Sequence, residues 1–274
     1  MQNFEMTVAM SVYDGVELHH LQAALGSVLS QSGVDFEVCL VMDGIKREDL
    51  RSYLIAQADA DSRINLIDFE RNRKLPAALN AIVRAMKSDF LVRMDSDDLC
   101  VPGRFKVLVD FMRSNPDVDA AGSGSFEFSD GPFDQGLQRR YPQTHEEIVR
   151  QFNYNNPFCH PSMIFRKRFF ELGLYPLWTL NEDTLLFLNG LAGGARYANI
   201  PQPLYAHRYD ADVGKRRQNW KRSFTIFLDR LRVIDKCDGG MKARLYAFML
   251  LLGQTLGGPV YPLVRRLMLK RRAL

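Results

Sequence analysis

The sequence predicts an α/β protein in which helices cover both faces of a parallel β-sheet. In the N-terminal part of the chain, apolar segments with the composition of strands alternate with segments whose apolar residues recur at helical spacing. Three of the predicted strands end at an acidic residue, namely Asp14, Asp43 and Asp95. Because the strand ends of a parallel sheet share one edge, these carboxylates can converge there.

The individual elements follow from these patterns. Strand-like segments cover residues 7–13, 36–42, 64–69 and 90–94, and apolar residues at helical spacing lie between them. In the second half, residues 105–112 read as a helix, 120–128 as a strand, 129–142 as a loop and 160–165 as another strand. A further helix opens at Asn181-Glu182-Asp183, with Asn181 as the expected N-cap.

Composition indicates an ordinary soluble globular protein that can bury a full core. The 274 residues are 46% hydrophobic and 25% charged. The cysteines are widely spaced, which favours a reducing compartment over a disulfide framework or structural zinc. Residues 1–7 contain neither the basic nor the apolar region of a secretory signal. We expect a catalytic domain over residues 1–212 and a basic, helical C-terminal extension over residues 213–274.

Charge is distributed unevenly along the chain. Residues 213–274 contain 15 Lys and Arg but only 3 Asp and Glu, whereas the preceding residues are net acidic. A basic segment of this kind suits nucleic acid or an anionic membrane surface. Because no nucleic-acid-binding motif accompanies it, we expect no nucleic acid partner and a peripheral contact with an anionic membrane.

The C-terminal segment is expected to dock on a membrane without crossing it. Residues 245–264 carry no charge, but Gly and Pro residues interrupt them, so we expect a helix up to Leu252, a bend and a second short helix. Basic and apolar residues then alternate in an amphipathic pattern suited to an interface. The alternative is a helical hairpin packed on the catalytic domain, with a solvated basic end.

An acidic cluster directly follows the strand-like residues 90–94. Asp95, Asp97 and Asp98 cannot be buried without partners, so they are expected beyond the end of the strand, where oxygen ligands suit Mg²⁺ or Mn²⁺. A calcium EF-hand loop is excluded, because Leu99 and Cys100 stand where it needs an oxygen ligand and a glycine. A phosphoryl-accepting aspartate and a solvated turn that caps the next helix both remain open.

Six motifs follow one another in the chain: residues 7–14, residues 36–43, Asn72 with Leu79-Asn80, Asp95-Ser96-Asp97-Asp98, Asn181-Glu182-Asp183 and residues 203–208. In this order they resemble the family 2 glycosyltransferases of GT-A fold, over about residues 5–210. The resemblance is strongest to bacterial enzymes that build surface polysaccharide and lipopolysaccharide.

The resemblance implies a role for each matching residue. Asp183 corresponds to the general base that deprotonates the acceptor hydroxyl, although capping of its helix would also explain an acidic residue there. Asp95 and Asp97 correspond to the Asp-x-Asp pair, with Asp97 as the direct ligand of Mn²⁺ or Mg²⁺. The remaining residues correspond to contacts with the nucleotide sugar. Ser11 and Tyr13 would lie beside the base, and Asp43 would hydrogen-bond the pyrimidine. Asn72 and Asn80 belong to a further donor-binding motif, and Arg208, with His207, would lie near the phosphates.

The chain also departs from the family pattern. Asp14 stands where Asn is common, and Leu75-Pro76 follows where a glycine is usual after Asn72. Asp210 occupies the histidine position of the usual Arg-x-His sequence. Among isolated residues, His160 reads either as an acceptor-side residue or as a core histidine. Trp178 could stack on a sugar, but core packing is the favoured interpretation. The stripe Trp220, Phe224, Phe227, Leu228 and Leu231 reads as helix core.

The combined expectation is an inverting, metal-dependent glycosyltransferase that uses a UDP-hexose or UDP-N-acetylhexosamine. The acceptor would be a growing or lipid-linked glycan at the cytoplasmic face of the inner membrane. Two rival functions are a catalytically silent scaffold of a polysaccharide assembly complex and a sugar nucleotidyltransferase. The second rival needs a basic, glycine-rich loop after the first strand, where residues 11–15 offer a single glycine and no basic residue.

Overall fold

The described residues of the computed structural model, 4–128, 138–179, 181–208, 220–237 and 239–256, form a mixed sheet flanked by helices. The strands are β1 (Met6–Val12), β2 (Phe36–Asp43), β3 (Ile64–Phe69), β4 (Phe90–Met94), β5 (Leu99–Cys100), β6 (Ala120–Phe128), β7 (Gln138–Arg139), β8 (Ile164–Arg166) and β9 (Tyr197–Arg208). The helices are α1 (Leu18–Leu29), α2 (Glu48–Ala60), α3 (Leu75–Ala85), α4 (Arg104–Ser114), α5 (His145–Phe152), α6 (Glu182–Ala192), α7 (Trp220–Lys236) and α8 (Met241–Leu256).

The four strands predicted from the N-terminal part are present and parallel. They lie in the order β3-β2-β1-β4, which extends through β8, β6 and β9 to β5, with β7 on β6. Strand β8 runs antiparallel to both β4 and β6, so the second half of the sheet is mixed. Strands β6 and β9 are again parallel, with a register shift at Gly124.

The prediction of a strand over residues 160–165 is wrong for the first half of that range. His160–Ser162 form a short 3-10 helix, and only Ile164–Arg166 pair in the sheet. Pro161 has no N–H to donate to a ladder, and its ring restricts the backbone before it. The Ser162 hydroxyl further closes the turn by donating to the Cys159 carbonyl at 2.8 Å.

Two apolar layers lie on opposite faces of the sheet, as predicted. One layer joins β1, β2 and β4 to helices α1, α2 and α4. The other joins the opposite strand faces to α3, α5 and α6, and it is rich in aromatic residues. Parallel strands buried on both faces explain why the sequence shows continuous apolar runs there instead of alternation.

Helices α7 and α8 form the described part of the C-terminal extension. Helix α8 continues to Leu256, so the prediction that it ends at Leu252 is wrong. A glycine inside a helix costs only about 1 kcal/mol, which the surrounding helix can tolerate at Gly253. The predicted second short helix lies outside the described residues. Within the described ranges, none of the helices is both long and apolar enough to cross a bilayer.

The stripe predicted as core in α7 is only partly buried. Phe224 and Leu228 are exposed, while Phe227 and Leu231 are half-buried. Trp178, also predicted as core, is 68% exposed. The side chain of Trp220 lies outside the described residues. Helical spacing shows that these residues share one face but cannot show whether another element covers that face.

Candidate active site

The carboxyl ends of β1, β2 and β4 meet at one edge of the sheet. Met10 pairs with Met94 and Val12 pairs with Met42, so β1 lies between the strand ends that carry Asp95 and Asp43. Half-buried Ser11 is near the end of β1. Open parallel sheets bind ligands at this edge.

The predicted acidic cluster lies at this edge. Asp95, Asp97 and Asp98 each offer a carboxylate oxygen, and these atoms lie within 4.8 Å of one another. Asp97 is exposed, Asp95 is half-buried and Asp98 is buried. The cluster does not cap helix α4, because β5 intervenes and no side chain caps that helix at Gly103. The capping interpretation is therefore wrong.

Asp98 binds to the end of strand β9. Its Oδ2 accepts hydrogen bonds from Tyr205 Oη at 2.6 Å and pairs with His207 Nδ1 at 3.0 Å. Its Oδ1 accepts from the Arg208 backbone N–H at 2.7 Å, and Arg208 Nε donates to the Asp97 carbonyl at 2.9 Å. These contacts bring Arg208 to the acidic loop and occupy both oxygens of Asp98.

Arg93 is a buried cation that sequence reasoning missed. It stands in the otherwise apolar strand β4, and its guanidinium forms an ion pair with Asp95. Among the described residues, its Nε has no hydrogen-bond partner. The sequence did carry a signal for Arg93, because it is the one charged residue among Phe, Leu, Val and Met in this strand. A buried charge needs a partner, so such a residue points to a nearby carboxylate.

The electrostatics of the cluster fit a divalent cation. Although the Asp97 side chain reaches solvent, desolvation by the protein atoms around it, followed by the charges of the neighbouring carboxylates Asp98 and Asp95, raises its pKa to about 6. Burial also raises the pKa of Asp95, although Arg93 opposes the shift. With Asp98 engaged elsewhere, Asp95 and Asp97 supply closely spaced hard oxygen ligands of the kind that Mg²⁺ and Mn²⁺ prefer.

A second cluster of contacts forms around Asp43 at the end of β2. Its Oδ1 and Oδ2 accept the backbone N–H groups of Arg73 and Lys74 at 2.6 and 3.0 Å. Asn72 Nδ2 donates to the Asp43 carbonyl at 3.2 Å. Gly44 allows this approach, because a Cβ at that position would lie 2.1 Å from Asn72 N. Asp43 and Asn72, for which the family resemblance implies donor contacts, are thus in contact with each other.

Lys74 has a strained backbone within this turn. Its φ of 73° and ψ of 159° fall in a region that is essentially restricted to glycine. Asp43 accounts for the conformation, because its carboxylate binds two successive N–H groups. A glycine at position 74 would adopt this conformation without strain.

Tyr13 lies just beyond β1, and the residue with its phenol ring is 49% exposed. A Cβ at Gly15 would lie 2.3 Å from that ring, so Gly15 allows the ring to lie across the turn. Asp14 does not join the acidic residues at the edge. Its Oδ1 accepts the backbone N–H groups of Lys46 and Arg47 at 2.8 and 3.0 Å, which connects the loops after β1 and β2.

Asp183 lies in the first turn of α6. Its Oδ1 accepts the Thr184 backbone N–H at 2.6 Å, and its Oδ2 accepts a hydrogen bond from Asn156 Nδ2 at 2.9 Å. Burial raises its pKa above the usual carboxyl value, which the Thr184 hydrogen bonds partly offset. Asn181 occupies the N-cap position, but its side chain makes no capping hydrogen bond. Asn156 is a further residue that the sequence analysis missed.

Asn80 stabilises a loop beside these residues. The residue is 3% exposed, and its side-chain amide exchanges two hydrogen bonds with the Tyr175 backbone, at 2.8 and 2.9 Å. Tyr175 Oη in turn lies 2.9 Å from Nε2 of buried His160. Any effect of Asn80 on a bound nucleotide sugar would therefore be transmitted through the Tyr175 loop.

Comparison with known sequences identifies the family. The model of glycosyl transferase family 2 matches residues 7–172. The amylovoran biosynthesis glycosyltransferase AmsE of Erwinia amylovora is 30% identical over 244 residues, which cover 88% of this chain and 90% of that protein. The UDP-Gal:alpha-D-GlcNAc-diphosphoundecaprenol beta-1,3-galactosyltransferase of Escherichia coli is 33% identical over 217 residues, 78% of this chain and 77% of that enzyme.

Solved structures confirm the GT-A fold. TarS 1-349 of S. aureus, in complex with UDP-GlcNAc, has a TM-score of 0.64 at 14% identity and covers 91% of this chain and 71% of that chain. The mannosyltransferase PcManGT of Pyrobaculum calidifontis, in complex with GDP-Man and Mn²⁺, also has a TM-score of 0.64. It is 15% identical, with 97% of this chain and 79% of that chain covered.

Proposed function

This chain belongs to glycosyl transferase family 2, and we propose that it transfers a hexosyl or N-acetylhexosaminyl group from a UDP-sugar with inversion at the anomeric carbon. The observation that carries the proposal is the cluster of Asp95, Asp97 and Asp98 at the ligand-binding edge of the sheet. Exposed Asp97 and half-buried Asp95 would hold Mn²⁺ or Mg²⁺. When bound, the ion would supply positive charge to the departing nucleoside diphosphate.

The donor would lie along the edge between β2 and the acidic loop. Tyr13 offers an exposed ring for stacking on the base, and half-buried Ser11 lies two residues earlier, in β1. Asp43 and Asn72 form the neighbouring turn. Arg208, bonded to the acidic loop, would contribute its charge near the phosphates.

Asp183 would accept the proton of the attacking acceptor hydroxyl. The acceptor oxygen forms a bond to the anomeric carbon as the bond from that carbon to the diphosphate breaks, and the proton passes to Asp183. Burial raises the pKa of this carboxylate, which makes it a stronger base than an exposed aspartate. Asn156 and the Thr184 backbone N–H fix its orientation.

The acceptor is proposed to be a lipid-linked glycan at the cytoplasmic face of the bacterial inner membrane. The relative in E. coli is named for a diphosphoundecaprenol-linked acceptor. Under this proposal, residues 1–212 form the catalytic domain and residues 213–274 form the extension that contacts the membrane.

The membrane-facing surface, here called the hairpin face, consists of exposed apolar residues on two helices. The rings of Phe227 on α7 and Phe248 on α8, 6.5 Å apart between centroids, join the two helices. Within α7, Phe224 contacts Phe227 at 6.3 Å. Its exposed members are Phe224, Leu228, Met241, Leu245, Phe248, Met249 and Leu252.

Charge complementarity favours an anionic bilayer as the partner of the hairpin face. Lys242 and Arg244 are exposed on α8 beside the apolar residues. The sequence from residue 257 onward adds five basic residues and no acidic ones. An apolar stripe flanked by lysine and arginine suits the boundary between head groups and acyl chains.

Calorimetry of UDP binding with and without Mn²⁺ tests the donor site. We expect Asp97→Ala to remove the metal-dependent part of the affinity, and Asp43→Ala to weaken binding with or without metal. Asp59→Ala, an exposed aspartate on α2, serves as the control. Unchanged metal-dependent affinity in Asp97→Ala would contradict the proposed metal site.

A thermal-shift screen of UDP-, dTDP- and GDP-sugars identifies the donor class. A ligand at 100 times its Kd adds about 2.7 kcal/mol of stability. Sugar transfer by the purified protein would then separate an active transferase from a silent scaffold.

A further inference from the structure

A large cavity that the proposed donor site does not use lies beside α5. Its volume is about 880 Å³, within the range of small-molecule binding sites. The segment from Arg139 to Pro157 forms most of the wall, and Tyr246 of α8 completes it. The cavity therefore lies between the catalytic unit and the C-terminal helices.

One wall residue connects the cavity to the proposed base. Asn156 lines the cavity and donates its Nδ2 hydrogen bond to Asp183 Oδ2 at 2.9 Å. A molecule in the cavity would thus lie one side chain away from the group that accepts the acceptor's proton. The donor-binding residues Asp43 and Asp97 are absent from the wall.

The wall is rich in positive charge. Arg139, Arg140 and Arg150 line the cavity, together with a single glutamate, Glu147. The Glu147 carboxylate is already occupied, because it accepts the backbone N–H groups of Gln143 and Thr144 at 3.0 and 3.2 Å. Those backbone hydrogen bonds, followed by the charge of Arg150, lower the pKa of Glu147, so it keeps its negative charge. With three arginines against this one carboxylate, the wall remains net positive.

The arginines retain hydrogen-bonding capacity. Arg139 forms an ion pair with Glu127, but its buried Nε has no hydrogen-bond partner among the described residues. Arg140 and Arg150 are exposed. Within the described ranges, neither guanidinium has a carboxylate within ion-pair distance. Guanidinium groups pair with phosphate through parallel hydrogen bonds, so this wall matches a phosphate group.

The remaining wall connects the cavity to the hairpin face. Tyr154 and Tyr246 line the cavity, and their rings are in edge contact at 5.6 Å between centroids. Tyr246 stands on the helix that carries Leu245 and Phe248 of the hairpin face. A ligand could therefore have its polar end near Asp183 and its apolar end at the membrane-facing helices.

We propose that this cavity binds the diphosphate of a lipid-linked acceptor, with Arg140 and Arg150 as its phosphate ligands. The inference rests on the proposed function, because it identifies the acceptor's chemical class at the same active site. The acceptor sugar would lie toward Asp183, and the lipid chain would leave past Tyr246. Arg140 and Arg150 would then determine specificity by favouring acceptors with a phosphate over neutral glycosides.

Binding of two small amphiphiles tests the proposal without knowledge of the acceptor sugar. Octyl diphosphate and octyl glucoside share a chain length but differ in charge, and calorimetry below their micelle concentrations measures both affinities in the full chain. We expect octyl diphosphate to bind at least tenfold more tightly. In the double variant Arg140→Gln/Arg150→Gln, this preference should fall by a factor of ten or more.

Two controls make the outcome decisive. Arg84→Gln removes an exposed arginine from α3, outside the cavity, and should leave the preference unchanged. Repeating the titration in the presence of UDP and Mn²⁺ should not displace octyl diphosphate. Displacement by UDP would assign the diphosphate to the donor site and overturn the proposal. Equal affinity of the two amphiphiles, or an equal loss in Arg84→Gln, would also overturn it.

The same measurements separate this inference from the proposed function. UDP affinity reports on the donor site, whereas octyl diphosphate affinity in the presence of UDP reports on the cavity. If the wild-type protein binds octyl diphosphate but shows no metal-dependent binding of UDP, only the proposed function is contradicted. Normal UDP binding with no preference for octyl diphosphate would contradict the cavity assignment alone.

Discussion

The hydroxyl of Tyr205 joins strand β9 to the acidic loop by donating to Asp98 Oδ2 at 2.6 Å. The Tyr205 hydroxyl oxygen also accepts a hydrogen bond from the backbone N–H of Asp95 at 3.3 Å. Asp98 and Tyr205 are both buried. A single hydroxyl thus contacts both ends of the turn that carries Asp97, so Tyr205 is expected to hold Asp95 and Asp97 in their relative positions.

Tyr205→Phe should destabilise the fold and weaken metal-dependent binding of UDP. The change leaves a buried carboxylate with one hydrogen bond fewer, which costs about 1–3 kcal/mol in the free energy of unfolding. Tyr197→Phe is the matched control, because buried Tyr197 donates to the Phe187 carbonyl at 2.7 Å on the far side of the sheet. Both variants should lose stability in urea denaturation, but only Tyr205→Phe should lose metal-dependent UDP affinity in calorimetry.

Asp183→Asn should lower kcat by a factor of about 10² or more while donor affinity is retained. The variant keeps an acceptor for the Thr184 N–H but removes the basic carboxylate. In the wild type, kcat should fall with decreasing pH as Asp183 is protonated. Because burial raises its pKa, this fall should begin above the usual range of an aspartate.

At saturating Mn²⁺, which keeps Asp95 and Asp97 ionised, the pH profile of Asp183→Asn should lack that acid limb. Glu182→Gln provides the control, since it removes the adjacent carboxylate in the same helical turn. Equal losses in the two variants would mean that the charge of the helix terminus matters and that Asp183 is not the base.

Lys74→Gly should stabilise the protein, although it removes a side chain. The strained backbone at Lys74 costs about 1–3 kcal/mol. Glycine relieves this strain but costs about 0.5–1 kcal/mol in the entropy of the unfolded chain. A net gain of about 1 kcal/mol in urea denaturation is therefore expected.

Lys74→Ala distinguishes strain from side-chain effects. Alanine removes the same charge but keeps the strained backbone, so its stability should match that of the wild type. If both variants gain the same free energy of unfolding, the cause is removal of the lysine charge beside Arg73 and Arg71 and not relief of backbone strain.

The hairpin face should bind anionic vesicles in a salt-sensitive manner. We expect the full chain to sediment with anionic but not neutral vesicles, and Leu245→Gln/Phe248→Gln to abolish this binding. Each basic residue near the surface contributes roughly 1 kcal/mol, and added salt screens that contribution. Ile55→Gln, which alters an exposed apolar residue on α2, should bind normally.

Two results would contradict membrane docking by this face. One is equal sedimentation of the double variant and the wild type. The other is self-association in the absence of vesicles that the double variant abolishes, which would assign the hairpin face to a second copy of the chain.

The sequence by itself determined the strands of the N-terminal sheet, their parallel direction and the edge where the site lies. Strands β1, β2 and β4 are mostly apolar, and each ends at or within two residues of an aspartate, so local composition reports both the element and its boundary. The acidic cluster was predictable for the same reason, because three carboxylates cannot remain inside a strand.

Only the tertiary structure decided which partners these groups have. Tyr205 is 107 residues from Asp98, and Asn156 is 27 residues from Asp183, so their hydrogen bonds depend on strand order and loop paths that periodicity does not encode. The exposure of Trp178 and Phe224 has the same origin. An apolar pattern specifies which residues share a face, but burial of that face depends on whether a distant part of the chain packs against it.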